Sequence, residues 1–163
     1  HNPGSNLKLG SGISPVPAML EKCVQVALGT DGAASNNRLD LWEEMRMAAL
    51  LHKGAQKDPL AVSASQALAM ATLEGAKALG FSEVGCIEEG WEADLFLVNL
   101  DQPHYNGWNE ENLVPYIVYA GSSADVEATM VKGRWIWGKY GSSMERENLL
   151  SQARRCRKEL VEA

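Results

Sequence analysis

Val26-Ala27-Leu28-Gly29-Thr30-Asp31-Gly32-Ala33-Ala34-Ser35-Asn36-Asn37 is the stretch from which the fold is read. With Val24 and Gln25 ahead of it, its first part is almost uniformly apolar through Gly29. Such a run predicts a strand buried on both faces, as in a parallel sheet covered by helices. The run stops at Thr30-Asp31-Gly32, which puts Asp31 at the strand's C-terminal edge. Parallel α/β folds and barrels bind their ligands at that edge. A lone carboxylate there has the chemistry to bind a metal, to accept a proton, or both. Gly29 and Gly32 leave room for the backbone to approach a ligand. Asp-Gly is equally a common turn pair, so the residues alone leave open the plainer role of a loop cap.

Upstream, Ser14-Pro15 predicts a helix start, with Ser14 as cap and Pro15 in the first turn. Met19, Leu20 and Cys23 supply its apolar face, and the helix must be short because the strand follows directly. Before it, His1-Asn2-Pro3-Gly4-Ser5-Asn6 reads as a polar, turn-forming loop. Loops of this kind follow a structural element, so the chain is expected to be the C-terminal part of a longer protein. Placed after another buried strand, this loop would line the same pocket as Asp31. His1 could ligate a metal there or merely hydrogen-bond.

Downstream, a helix is predicted from about Leu39 to Lys53, with Leu41, Met45, Ala48, Ala49 and Leu51 toward the sheet. Another runs from about Ala64 to Leu79, opened by a Ser63/Gln66 capping box and closed at Gly80. The pattern then changes. Gly85-Cys86-Ile87 and Asp94 to Asn99 read as short strands joined by Glu88-Glu89-Gly90. Val126 to Val131 and Arg134 to Trp137 flank Lys132-Gly133, a two-residue hairpin turn. A charged amphipathic helix covers about Glu145 to Val161. The expected organisation is an α/β part over residues 1–80, a β-rich part over 81–140 and a terminal helix over 141–163.

The chain has 163 residues and a formal net charge of −6. That balance argues against a nucleic-acid partner, which calls for a basic patch. No apolar run nears the roughly 20 residues that span a bilayer. Cys23, Cys86 and Cys156 are scattered and odd in number, which predicts reduced thiols in a cytoplasmic protein. His1, His52 and His104 share no short spacing, so the residues by themselves offer one convincing metal ligand, Asp31. Most of the tryptophans read as core-packing or subunit-contact residues, and Trp135 and Trp137, two apart in a predicted strand, point to one face as a candidate interface.

The His1-to-Leu9 and Leu28-to-Asn37 segments together resemble the amidohydrolase superfamily. The resemblance is to its branch of 5′-methylthioadenosine/S-adenosylhomocysteine deaminases and triazine chlorohydrolases. Leu41-Trp42-Glu43-Glu44-Met45-Arg46, Gly85 to Gly90, Ala93-Asp94-Leu95 and Ala128 to Trp135 fit it too. The resemblance implies an α/β fold in which residues 1–80 end a metal-dependent (β/α)8 barrel. Residues 81–140 would then supply part of a small β-sandwich, and residues 141–163 a C-terminal helix. It also implies that Asp31 ligates a divalent metal (zinc, with iron or manganese as alternatives) and moves the proton of the hydrolytic water. Asp31, Ser5 and Asn6 become the substrate-binding candidates.

The implied reaction is deamination of an adenosine derivative by a metal-bound hydroxide, with a triazine-type chlorohydrolase as the alternative. A structural or interaction domain is the alternative outside enzymes. The implied partner is a small molecule, with no nucleic acid and no membrane, and the implied assembly is a homo-oligomer. The family's His-x-His pair, further His ligand and general acid have no counterpart here, so these residues alone are expected to be inactive.

Overall fold

The computed structural model describes residues 1–140 and 146–161. Helix α1 spans Pro3–Leu9 and α2 spans Val16–Glu21. A long helix α3, Leu41–Gln56, precedes α4, Ala64–Ala71, and α5, Leu73–Ala78. Strand β1, Leu95–Val98, is followed by helix α6, Leu113–Tyr119. Strands β2, Val126–Val131, and β3, Arg134–Gly138, form a hairpin, and helix α7 spans Arg146–Val161. The start expected for α7 at residue 145 lies outside the described residues.

Segment 1–6, expected as a loop, is mostly helix. Pro and Gly mark turns in sequence, but Pro3 occupies the first helical turn, where a missing N–H costs nothing. This correction matters because it turns Ser5 inward, to 2% exposure. Ser14 is not the cap of α2: Pro15 takes that position, and the Ser14 hydroxyl faces Met19 Sδ instead.

Residues 24–29 are extended but belong to no ladder among the described residues. Their one strand-like neighbour is residue 1. The His1 main-chain N–H donates to Ala27 O at 2.7 Å, and Gly29 N–H donates to His1 O at 3.1 Å. Those two bonds bracket Leu28 as a parallel pairing does. Burial on both faces is not observed: Val26 is buried, whereas Gln25, which points to the opposite face, is exposed.

Helix α3 is capped as its sequence invites, with the Asp40 carboxylate accepting the N–H groups of Trp42 and Glu43. Its inner face differs from the apolar reading. Leu41 is exposed, while Trp42, Glu44 and His52 are buried with Met45, Ala48 and Ala49. The Ser63/Gln66 capping box forms. The single helix expected over residues 64–79 is broken at Thr72, whose hydroxyl turns back to Leu68 O. Side-chain bonding to a carbonyl four residues earlier is a local competitor that hydrophobic periodicity does not report. Phe81 N–H to Ala76 O and Gly80 N–H to Lys77 O then end α5 in the expected left-handed cap.

The core lies where α3, α4 and α6 meet, with Val16, Val26, Met45, Ala48, Ala67, Met70 and Val118 closing it. Trp42 donates from its indole to Ile117 O at 2.8 Å, tying α3 to α6.

The sheet is antiparallel in the order β1-β2-β3. Lys132 and Gly133, both at positive φ, make the hairpin turn of the type that matches strand twist. The strand expected at Gly85-Cys86-Ile87 does not form, and Ile87 is almost wholly exposed. The shared face expected of Trp135 and Trp137 is lost as well. The register pairs Trp135 with Met130 and Trp137 with Thr129, adjacent residues of β2, so a bulge at Ile136 sends the two indoles to opposite sides. Among the described residues, no helix is long and apolar enough to cross a membrane.

Candidate metal and proton-transfer site

Asp31 follows the extended segment 24–29 and takes a left-handed backbone conformation, φ +62°, that aims its carboxyl outward. The buried Ser5 hydroxyl donates to Oδ2 at 2.7 Å, and the Gly32 N–H donates to Oδ1 at 2.7 Å. Hydrogen bonds from Ser5, then from Ser35 and Gly32, hold this carboxyl below the usual carboxylate range. The group is otherwise exposed, so the remaining lone pairs of both oxygens face outward. Such a carboxylate is a ready oxygen donor to a divalent cation and a proton acceptor.

Of the residues predicted from sequence, Ser5 and Asp31 are brought together across 26 positions. Asn6, the next residue of α1, is half-buried and makes no hydrogen bond to Asp31. His1 and His104 do not reach Asp31. His104 instead lies 3.0 Å from Asp125 Oδ2. Among the described residues no three His, Cys, Asp or Glu side chains gather into a metal cage. Asp31 therefore fits as one ligand of a metal site and not as a complete one.

Two features escape a reading of the sequence. Glu44 and Asn36, both buried, form a hydrogen-bonded pair beneath the Asp31 loop. The second is a histidine pair: His52 Nε2 lies 3.2 Å from His1 Nε2, with ring centroids 5.1 Å apart. No spacing rule finds residues 51 positions apart. The signal available is a histidine on the inner face of α3.

Burial lowers the His52 pKa from its ordinary 6.5. The unfolded chain therefore takes up this proton first. The stability His52 contributes is complete above about pH 6.5 and falls as the pH drops through that value toward the lowered one. The unfolding free energy is expected to rise with pH in that window, with about 1.4 kcal/mol per pH unit as the ceiling that one proton sets. The slope should flatten in His52→Gln, and urea unfolding from about pH 5 to pH 8 measures it. Equal slopes in the two proteins would refute the assignment.

The amidohydrolase family model matches residues 1–136. A 5-methylthioadenosine/S-adenosylhomocysteine deaminase of Dictyoglomus thermophilum is 49% identical over 162 residues, 99% of this chain and 38% of that protein. A 5′-deoxyadenosine deaminase of Methanosarcina acetivorans is 47% identical over 163 residues, 99% of this chain and 37% of its own. Among solved structures, an adenosine deaminase from Xanthomonas campestris with bound zinc superposes with a TM-score of 0.93. It is 36% identical, and the match covers 100% of this chain and 37% of that one. The zinc complex of an atrazine chlorohydrolase from Arthrobacter aurescens gives a TM-score of 0.84 at 28% identity, covering 93% of this chain and 34% of that one. The chain thus spans less than two-fifths of the length of each of these relatives. With the family model covering most of its length, the chain belongs to the amidohydrolase family.

Proposed function

We propose that this chain carries the Asp31 side of a metal-dependent site that hydrolytically deaminates an adenosine derivative such as 5′-methylthioadenosine or S-adenosylhomocysteine. The observation that carries the reading is the outward-facing Asp31 carboxylate, fixed by Ser5 and Gly32 at the end of segment 24–29. The deaminase names of its relatives favour this substrate class. The higher identity of the adenosine deaminase structure, 36% against 28%, favours it over the chlorohydrolase reading.

Asp31 would hold a divalent cation, and zinc is the metal bound in both solved relatives described above. When bound, such a cation supplies a water of lowered pKa. A catalytic zinc takes about three protein ligands, and the further donors are not among the described residues. The oxygens of Asp31 accept the water's proton and return it toward the departing ammonia. Ser5, donating to Oδ2, keeps the carboxyl from rotating between those two events. Ser5, buried behind Asp31, would act on the substrate through that carboxylate, and the half-buried Asn6 on the same turn of α1 would face the substrate itself.

Residues 1–80 then form the end of a (β/α)8 barrel, residues 81–140 part of a β-sandwich and residues 141–163 the C-terminal segment that carries α7. The parallel-type pairing of His1 with segment 27–29 supports the first of these, and the antiparallel three-stranded sheet supports the second. The partner is a small molecule rather than nucleic acid or membrane, in a cytoplasmic homo-oligomer. The charge of −6, the three free cysteines and the exposed Ile136 and Trp137 of β3 support that setting.

Ammonia release by the complete, zinc-loaded protein from methylthioadenosine and S-adenosylhomocysteine tests the reading. Turnover of either is the expected result. Zinc-bound protein that releases no ammonia from either, or that frees chloride from a chlorotriazine instead, would overturn it.

A further inference from the structure

Glu44 is buried to 2% exposure on the inner face of α3, and no cationic side chain is paired with it among the described residues. A buried carboxyl that no side-chain cation pairs with is costly unless its oxygens are satisfied by hydrogen bonds. Both are. Gly4 N–H donates to Oε2 at 2.8 Å, and Asn36 Nδ2 donates to Oε1 at 2.7 Å. The same Asn36 amide donates to Thr30 O at 2.9 Å, while its Oδ1 accepts the Arg38 N–H at 3.1 Å.

These bonds converge on one place. One arm of Glu44 ends at Gly4, the neighbour of Ser5, and the other passes through Asn36 to Thr30, the neighbour of Asp31. The clamp thus closes around the Ser5–Asp31 hydrogen bond. A Cβ at residue 4 would run into Glu44 Oε1, so glycine there lets the carboxyl sit against α1 without shifting.

We infer that Glu44 is a positioning residue: its carboxyl locks α1 to the loop after Asp31 so that Ser5 holds the Asp31 carboxylate in its working orientation. This rests on the reading of Asp31 as the carboxylate of the site. Glu44 need not touch substrate, since it acts through Gly4 and Asn36.

Glu44→Gln separates positioning from packing, because glutamine has the same size. Its one oxygen can accept from Gly4 or from Asn36, and its NH2 then faces a donor on the other arm. Asn36 can relieve that clash only by turning its amide, which gives up the bonds to Thr30 and Arg38.

In the complete protein, Glu44→Gln is expected to lower kcat about 10- to 100-fold and to speed zinc release by a similar factor. KM should stay within about threefold. Hydrogen exchange should accelerate in residues 3–9 and 30–38 and stay unchanged over α4 and the β2–β3 hairpin. Glu43→Gln, at the half-buried neighbour whose carboxylate pairs with the exposed Arg38 guanidinium, should keep the parent kcat and zinc release, since an ion pair at the surface contributes little.

Parent-like kcat and zinc release in Glu44→Gln would overturn the inference. So would exchange that rises evenly over the whole chain, the mark of a residue that only supports the fold. If the parent deaminates no adenosine derivative, the proposed reaction fails by itself. Zinc release and the exchange pattern then decide the role of Glu44 without it.

Discussion

Asp31→Asn in the complete protein is expected to lower deamination turnover by about 10²- to 10⁴-fold, the range for loss of a positioned proton-transfer group. Bound zinc should fall in parallel. Asparagine is the informative replacement because Asp31 sits at φ +62°. Asn tolerates left-handed backbone nearly as well as Asp, whereas alanine there would add strain to the chemical loss. The substitution removes the charge. It also sets an amide NH2 toward either the Ser5 hydroxyl or the Gly32 N–H, both donors in the parent. The Ser5 hydroxyl can rotate to accept, but the Gly32 N–H cannot. The substituted amide should therefore keep its oxygen on Gly32 and turn its NH2 toward Ser5, which leaves no ionised oxygen for a metal or a proton. Ammonia release, zinc content and a melting curve on the same preparation check this. Parent-like turnover in a folded Asp31→Asn protein would remove Asp31 from the site.

Much of this architecture is written locally. The Asp40 cap and its helix, the Ser63/Gln66 box and the Lys132-Gly133 hairpin all rest on residues within about four positions of one another. The Asp31 carboxylate is legible for a related reason, since an apolar run broken by Thr-Asp-Gly needs no partner to be noticed. The misreadings share the opposite property. Segment 1–6 reads as a loop because Pro and Gly carry turn and helix-start signals alike, and the choice depends on α3 packing beside it. The β3 bulge depends on register against β2.

The site divides along the same line. Asp31 and Ser5 each stand out within their own segments, but their hydrogen bond joins residues 26 apart, so only the fold shows that they form one unit. Glu44 is invisible as a site residue for a stronger reason. A glutamate in a charged helix reads as solvated, and its burial follows only once Gly4 and Asn36 converge on it. A polar side chain on a helix's apolar face is the one hint available. His52 lies on that same face.

Asp125→Ala is expected to destabilise the protein by about 2–4 kcal/mol, from the loss of several hydrogen bonds to one buried carboxylate. Asp125 ends the 3₁₀ turn Ser123–Asp125 and is 8% exposed. Its Oδ2 accepts from the Ser122 N–H at 2.7 Å, the Ser122 hydroxyl at 3.3 Å and the Tyr105 hydroxyl at 3.2 Å, and His104 Nε2 lies at 3.0 Å. Tyr105 has no exposed surface, and burial followed by the nearby Asp125 charge pushes its hydroxyl up to about 12. Without Asp125 that hydroxyl stays buried and loses its acceptor. Asp125→Ala with Tyr105→Phe should therefore cost less than the two single changes added together, since the phenylalanine removes the stranded group. Burial opposes ionisation of Asp125, but hydrogen bonds from His104 and Ser122 outweigh it and hold the carboxyl below its usual 3.8. The stability it contributes is accordingly full above about pH 3.8 and is lost as the pH falls through that value to the lowered one. Urea unfolding of the parent, both single variants and the double variant closes the cycle. Strict additivity, or a single-variant loss under about 0.5 kcal/mol, would show that Asp125 only decorates the turn.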